Sequence, residues 1–367
     1  MIDAELIPIN QTYRAKSNVN IRQAPRVNSA RIGGLKRGER ITAIGRVRGY
    51  DWILVGRGGT QLGYVFYSLI ELDPTSVAAR VVPAPPPQPP PTLSTKPKPQ
   101  SWPGTNRATN PQGIAVIVGN RAYGDDVQPV DFAHNDADAM RSFVIDALGY
   151  RDGNIIDLRD ATKAQLERVF GNDRNHKGQL FDWVRPDRSD VVVFYSGHGV
   201  PGVESNRGYL LPVDGDPNRA ELVGFGLDVL VANLKRLPAR SITVYLDTCF
   251  SGTSHGGTLM QAASGLTITQ KLPDQPDKLT ILTAAQANQI ASWDNEAGRG
   301  LFTHHLLAAL NGAADRGEYG NGDGRVTVGE VKRFLDKEMT YQARRQFGRD
   351  QQANVVGNDS VVLATVR

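Results

Sequence analysis

The sequence predicts two folded units of different class. A small all-β barrel lies near the N-terminus, and a larger α/β domain follows, built on a mostly parallel six-stranded sheet with helices on both faces. Three observations predict this. Short β-prone runs punctuated by glycine fill residues 13–72, the proline-rich stretch 83–103 interrupts the chain, and apolar runs alternate with helix-period segments from Gly113 onward. The predicted boundaries are 1–75 for the barrel, 76–110 for a linker and 111–367 for the α/β domain.

In the N-terminal unit, Asn18-Val-Asn-Ile-Arg22 alternates apolar and polar residues. Gly33-Gly34, Arg37-Gly38-Glu39, Ile41–Val47, Trp52–Val55 and Gly63-Tyr-Val-Phe66 follow. Strands this short, separated by glycine turns, close into a barrel or sandwich. The pieces Asn20-Ile-Arg-Gln-Ala-Pro25, Leu35-Lys-Arg-Gly38, Trp52 with Val55, and Gly63-Tyr-Val65 resemble a bacterial SH3-like (SH3b) domain. That resemblance implies a binding module for cell wall or peptide. Trp52 and Tyr64 fit core packing as well as ligand contact.

Residues 83–103 read PAPPPQPPPTLSTKPKPQSWP. This density of proline excludes helix and sheet and favours an extended polyproline II spacer, with a docking motif or a cleaved propeptide as the other readings.

The α/β elements come in order. Ile114–Val118 is a continuous apolar run, as in a strand buried on both faces. Ala133, Ala137, Met140, Val144 and Leu148 follow at helical spacing. Strand Ile155–Leu158 precedes helix Thr162–Phe170, in which Thr162 and Gln165 form a capping box. Then come strand Val191–Tyr195, helix Leu227–Leu234, strands Ile242–Leu246 and Leu279–Ala284, helices Leu301–Leu310 and Val328–Tyr341, and a closing strand at Val361–Val366.

Two of these strands end in unusual ways. Val191–Tyr195 runs into Ser196-Gly197-His198-Gly199, and Ile242–Leu246 into Asp247-Thr248-Cys249-Phe250-Ser251-Gly252. Ligand sites of open α/β sheets form beyond the carboxyl ends of the strands, so neighbouring strands would bring an imidazole and a thiol into one crevice. The pairing makes chemical sense. A free thiol titrates near pH ~8.5, and a nearby imidazole can take its proton and return one to a leaving amine. An oxyanion needs preorganised donors, for which the Gly199 and Cys249 N–H groups are the candidates. No acid is obviously placed to orient His198.

Tyr195-Ser-Gly-His-Gly199 and Asp247-Thr-Cys-Phe-Ser-Gly252 resemble the two signature motifs of caspase-like cysteine peptidases, in the bacterial metacaspase/orthocaspase branch. Ile117-Val-Gly-Asn120 with Tyr123, Ala133-His-Asn-Asp-Ala137, Gly208-Tyr-Leu-Leu-Pro-Val-Asp214 and Gly300-Leu-Phe-Thr303 agree with that family. The resemblance covers roughly 111–366. It implies His198 and Cys249 as the catalytic pair of an endopeptidase, and a primary pocket selective for Arg or Lys formed by Asp136, Ser196 and Asp247. Two carboxylates at the floor of a cleft favour a cation and disfavour an acidic side chain. The simpler reading of Asp136 is a helix-start acid that favours the dipole.

No cofactor is expected. Many metacaspases use calcium, and Asp214, Asp216 and Asp228 match one group of acids, but residues 252–260 contain none. Asn321–Glu330 resembles half an EF-hand loop. Aligning Gly324 with that loop's glycine puts Tyr319 at the first ligand position, whereas Thr327 and Glu330 fit a capping box. One cysteine in 367 residues excludes an intramolecular disulfide and a multi-thiolate zinc site.

Net charge is +6 over residues 1–80, +3 over 81–110 and −5 beyond. The basic N-terminal part is at most a weak pointer to an anionic partner; no nucleic-acid partner is expected. No stretch approaches ~18 continuous apolar residues, so no membrane span is expected. Met1–Glu5 lacks the basic and apolar regions of a signal peptide, and a trimmed leader would leave the same terminus, so the compartment stays open. The Gly/Ser-rich stretch Gly252–Lys278 carries Lys271 and reads as a loop whose cleavage activates the enzyme. Two other readings stand beside the peptidase. One is a catalytically silent caspase-like adaptor. The other is a cell-wall hydrolase, which the order of His before Cys disfavours.

Overall fold

The structure, a computed structural model, describes residues 6–26, 29–47, 52–57, 60–73, 109–124, 127–202, 205, 207–250, 253–254, 257–258, 278–286 and 289–366. The proline-rich stretch and Lys271 lie outside the described residues. The chain divides into two compact units, Met1–Ser94 and Thr95–Arg367.

The first unit is a seven-stranded antiparallel sheet: β1 (Leu6–Ala15), β2 (Val19–Arg22), β3 (Arg31–Leu35), β4 (Arg40–Val47), β5 (Trp52–Arg57), β6 (Thr60–Phe66) and β7 (Ile70–Leu72), in the order β3-β2-β6-β5-β4-β1-β7. Every strand gives side chains to one core. Tyr13, Val19, Leu35, Ile41, Ile53, Val65 and Ile70 all pack together, so the sheet curls around it. Trp52 is buried edge-on against Phe66, which supports the packing reading of that tryptophan. Gly63 has φ +135, and a Cβ there would lie 2.6 Å from the Arg22 carbonyl oxygen, so a side chain would part β6 from β2. Strand β1 begins seven residues before the first predicted β residue, Tyr13. Its Pro8 and the polar run Asn10-Gln11-Thr12 hide the pattern, and the pairing with β4 shifts register between Pro8 and Gln11.

The second unit opens with β8 (Ile114–Gly119), α1 (Ala133–Asp146), β9 (Ile155–Arg159), α2 (Lys163–Phe170) and α3 (Gln179–Trp183). Next come β10 (Asp190–Ser196), β11 (Gly199–Pro201), β12 (Gly208–Leu210), α4 (Ala220–Val223), β13 (Phe225–Gly226), α5 (Leu227–Lys235) and β14 (Ser241–Asp247). The short pair β15 (Thr253–Ser254) and β16 (Gly257–Thr258) precedes β17 (Leu279–Thr283), β18 (Trp293–Asp294), β19 (Arg299–Gly300) and α6 (Leu301–Ala308). The chain ends with β20 (Arg325–Thr327), α7 (Val328–Phe334), α8 (Thr340–Phe347), β21 (Asn354–Val356) and β22 (Val362–Thr365). A π-helical turn, Leu335–Met339, joins α7 to α8, so the predicted helix 328–341 runs on to Phe347.

The main sheet has six strands, ordered β21-β17-β14-β10-β8-β9. The five from β9 to β17 are parallel, and β21 is antiparallel. The closing strand expected at Val361–Val366 is not part of it. That segment forms β22, which pairs with β20 in a separate two-stranded sheet, and Asn354–Val356 takes the edge instead. The apolar run at 361–366 is satisfied by packing against the π-helical turn after α6, where Gly312 lies against Val366.

Alternation along the strands divides the core between the two faces. Ala115, Ile117, Val192 and Phe194 meet α1, α6 and α7 through Met140, Phe143, Phe302 and Val331. Val116, Val118, Val193 and Val244 meet α2 and α5 through Leu166, Val169, Leu230 and Leu234. With helices on both faces every central strand is buried twice, which explains the continuous apolar runs. Capping of α2 is as expected, with Thr162 and Gln165 making both halves of a capping box. Numbered from β8, the five parallel strands run 2-1-3-4-5. The direction of winding switches between β8 and β10, where the crevice of such a sheet lies.

Candidate active site

Strands β10 and β14 are paired in parallel with Ser196 opposite Asp247, so their carboxyl ends are flush. The turns that follow therefore leave the sheet side by side. The Gly197 N–H donates to the Asp247 carbonyl at 3.3 Å. A Cβ on Gly199 would lie 2.5 Å from the Cys249 carbonyl oxygen and 2.6 Å from Thr248 Oγ1. Glycine at 199 is what lets the histidine turn pack directly on the cysteine turn.

His198 is held from several sides. Its backbone N–H donates to the Tyr123 hydroxyl (2.8 Å), and the Tyr195 hydroxyl lies 2.8 Å from its carbonyl oxygen. The Tyr123 ring sits 4.7 Å from the imidazole, centroid to centroid. Its Nε2 is 2.6 Å from the Gln128 carbonyl oxygen. A carbonyl only accepts, so Nε2 carries the proton and Nδ1 is the ring's basic nitrogen. Burial lowers the imidazole to about 4, with the Gln128 bond opposing it. Sequence reasoning found no acid for this role, and the group that fills it is a main-chain carbonyl, which leaves no side-chain signature.

The Leu211 N–H donates to the His198 carbonyl. In an antiparallel ladder the next residue then faces the other way, so the Gly199 N–H is turned away from β12.

Cys249 follows β14 and is partly exposed. Its sulfur accepts the Ala291 N–H at 3.2 Å. Burial pushes the thiol up to about 11; the Ala291 bond and Arg349 oppose this, and Asp247 adds to it. At neutral pH the resting pair is thus an uncharged thiol and an uncharged imidazole.

Beneath lies a second cluster. Asp136, in the first turn of α1, is 1% exposed; its Oδ2 accepts the Ser196 hydroxyl (2.9 Å) and its Oδ1 the Gly300 N–H (3.0 Å). Asp247 Oδ2 accepts the Thr303 hydroxyl (2.6 Å) and the Thr303 N–H (3.1 Å). The three residues expected to form the primary pocket, Asp136, Ser196 and Asp247, are therefore together. The Asp136 carboxylate bonds to β10 and to the N–H just ahead of α6, and its place in the first turn of α1 also suits the helix dipole. Burial and the neighbouring Asp247 raise Asp136 well above the usual carboxylate range, and burial raises Asp247 to about 6. Gly300 and Thr303, which organise both acids, were visible in the sequence only as part of Gly300-Leu-Phe-Thr303.

The acids considered for calcium are each engaged by other groups. Asp214 caps the Lys163 N–H, Asp216 caps the Asn218 N–H, and Asp228 pairs with Arg207. The buried Asp315 carboxylate takes the N–H groups of Gly322, Asp323 and Gly324, and Thr327 and Glu330 make a full capping box. Asp315 and the cap thus do the organising that a cation does in an EF-hand. Among the described residues no three His, Cys, Asp or Glu side chains gather as metal ligands, and no helix is long and apolar enough to cross a membrane.

Comparison with known proteins follows the same division of the chain. Residues 17–71 match the bacterial SH3 domain family, and residues 112–354 match the caspase domain family. No curated protein sequence matches. Two crystal structures align at low similarity. Protein GSU0716 from Geobacter sulfurreducens is 19% identical, covers 70% of this chain and 99% of its own, and has a TM-score of 0.46. Caspase-1 from Spodoptera frugiperda is 13% identical, covers 71% of this chain and 94% of its own, and has a TM-score of 0.44. A family match that spans about two thirds of the chain, on the segment that carries the flush strand ends, is decisive: the chain belongs to the caspase-domain family of cysteine peptidases and carries a bacterial SH3 domain ahead of that domain.

Proposed function

We propose that the α/β domain is an endopeptidase that cleaves after arginine or lysine, in the manner of the metacaspase/orthocaspase branch, with Cys249 as nucleophile and His198 as general base and acid. The observation that carries this is the convergence of two buried carboxylates, Asp136 and Asp247, immediately below the paired turns of His198 and Cys249.

The chemistry follows from the resting charges. An imidazole lowered by burial and a thiol raised by burial do not form a ready ion pair, so the proton moves as attack proceeds. Cys249 Sγ bonds to the scissile carbonyl carbon while its proton passes to His198 Nδ1. The carbonyl oxygen becomes an oxyanion, met by the Gly199 and Cys249 N–H groups. Collapse breaks the C–N bond, and the imidazolium returns the proton to the leaving amine, leaving a thioester. Water, deprotonated by the same imidazole, then releases the acid and the thiol. The Gln128 carbonyl holds the ring in the tautomer this requires.

Specificity rests on the lower cluster. A cationic side chain entering beside Asp136 and Asp247 adds positive charge to two buried acids, of which Asp136 already feels the guanidinium of Arg299, whereas an aspartate would add a third negative group. Cleavage after Lys271 as the activating event belongs to this proposal on sequence grounds alone. The SH3 domain is read as a module that binds cell wall or peptide and holds the peptidase near its substrates.

The test is covalent labelling by peptidyl acyloxymethyl ketones ending in arginine, lysine or aspartate, read by peptide mapping. The proposal expects a mass increment on Cys249 from the basic reagents and little from the acidic one. Equal labelling by all three would remove the specificity, and no labelling of Cys249 would favour the silent adaptor.

A further inference from the structure

The residues behind Cys249 come from the far end of the chain. Helix α8 stops at Gly348, whose left-handed φ of +64 turns the backbone back toward the sheet. The next residues run along Ala291-Ser292, the segment that touches the sulfur. Arg349 Nη2 donates to Ser292 Oγ at 3.0 Å. Two residues on, the fully buried Gln351 accepts the Ser292 N–H at 2.8 Å and donates to the Ala284 carbonyl at 3.0 Å. Ser292 is thus pinned through both its side chain and its backbone, and the adjoining Ala291 N–H is pinned with it against Cys249 Sγ.

Arg349 also has an electrostatic role. Among the described residues the charged groups acting on the thiol are Asp247, two residues before it on β14, and Arg349, from the segment after α8; His198 is the titratable group on the adjoining turn. Asp247 disfavours the thiolate and Arg349 favours it. The imidazole is uncharged at rest, which leaves the guanidinium as the standing positive charge among these groups.

We propose that Arg349 is a positioning residue for the nucleophile, pinning Ser292 and the Ala291 N–H against Cys249 and stabilising the thiolate as it forms. This rests on Cys249 being the nucleophile, but not on any substrate preference. It assigns a function to a segment, residues 348–352, that neither signature motif contains.

Cys249 is the only cysteine of the chain, so thiol alkylation reads this one site without a substrate. The experiment uses the full chain and iodoacetamide, a neutral reagent, with rates followed by peptide mapping from pH 6 to pH 10 and folding checked by circular dichroism. Arg349→Gln should displace the pH profile upward by about one unit, so that alkylation at pH 8 slows about tenfold. Arg349→Lys, which keeps the charge, should recover most of the rate. Superimposable profiles for wild type and Arg349→Gln would overturn the proposal. If Arg349→Gln does not fold, Ser292→Ala, which removes the hydroxyl that Arg349 holds, is measured in its place. A profile displaced upward supports the proposal, and one superimposable on wild type overturns it. Failure here, with arginine-peptide cleavage intact, would remove the role of Arg349 and leave the peptidase reading standing.

Discussion

The carboxylates of Asp136 and Asp247 meet at the α-carbon of Gly300. A Cβ added there would lie 2.1 Å from Asp247 Oδ2 and 3.1 Å from Asp136 Oδ2. Residue 300 has φ −57, so the backbone itself would accept any side chain and the restriction is purely steric. Glycine at this position is what allows two acids from different elements to share one buried site.

Gly300→Ala should therefore damage the pocket without unfolding the domain. The methyl group displaces a carboxylate, at a cost of about 1–3 kcal/mol in stability. Cleavage of arginine peptides should fall at least tenfold in kcat/KM, chiefly through KM. Thermal melting and steady-state kinetics check the two halves.

The same pair sets a pH dependence of stability. Asp247 is raised from 3.8 to about 6 in the folded chain, so between about pH 4 and pH 6 the folded state holds a proton that the unfolded state has released. Stability from this group is full below pH 4 and is lost as pH rises through 6. Asp247→Asn removes the titration, and its melting temperature relative to wild type should rise across that window, by the equivalent of about 2–3 kcal/mol. A gap that stays constant from pH 4 to pH 7 would contradict the assignment.

Recognition of a cation should titrate in the opposite sense. Binding arginine requires the acids to be ionised, so KM for an arginine peptide falls as pH rises through the range in which they lose their protons. A citrulline peptide of the same shape carries no charge and should lack that trend. Comparing KM for the two peptides from pH 5 to pH 8 measures the difference.

Thr248 offers a separate test. Its hydroxyl is buried beside Gly199, and among the described residues no hydrogen-bond partner meets it. Replacing an unpaired buried hydroxyl with a methyl group of similar shape relieves a desolvation cost, so Thr248→Val should stabilise the fold by about 1 kcal/mol. Chemical denaturation would show the gain as a raised midpoint with an unchanged slope.

Five strands of the main sheet were legible because strands buried on both faces must be continuously apolar. The two signature turns were legible because they interrupt such runs with Ser-Gly-His and Asp-Thr-Cys. The sixth strand, Asn354–Val356, was not. Three residues at an edge carry too little pattern, whereas the stronger apolar run at 361–366 serves a side sheet. The groups that orient the site were hidden for a different reason. Gln128 contributes a carbonyl and Ala291 an N–H, and backbone groups write nothing into the sequence. Arg349 and Gln351 look like ordinary surface residues until the turn at Gly348 brings them back to Ser292.

The central claim is that this chain cuts peptide bonds after basic residues with Cys249. The most direct measurement is kcat/KM on a fluorogenic panel with Arg, Lys or Asp before the scissile bond, for wild type beside Cys249→Ala. The account predicts cleavage after Arg and Lys, none after Asp, and a loss of several orders of magnitude in the variant. Cleavage that survives Cys249→Ala, or a preference for Asp, would contradict it.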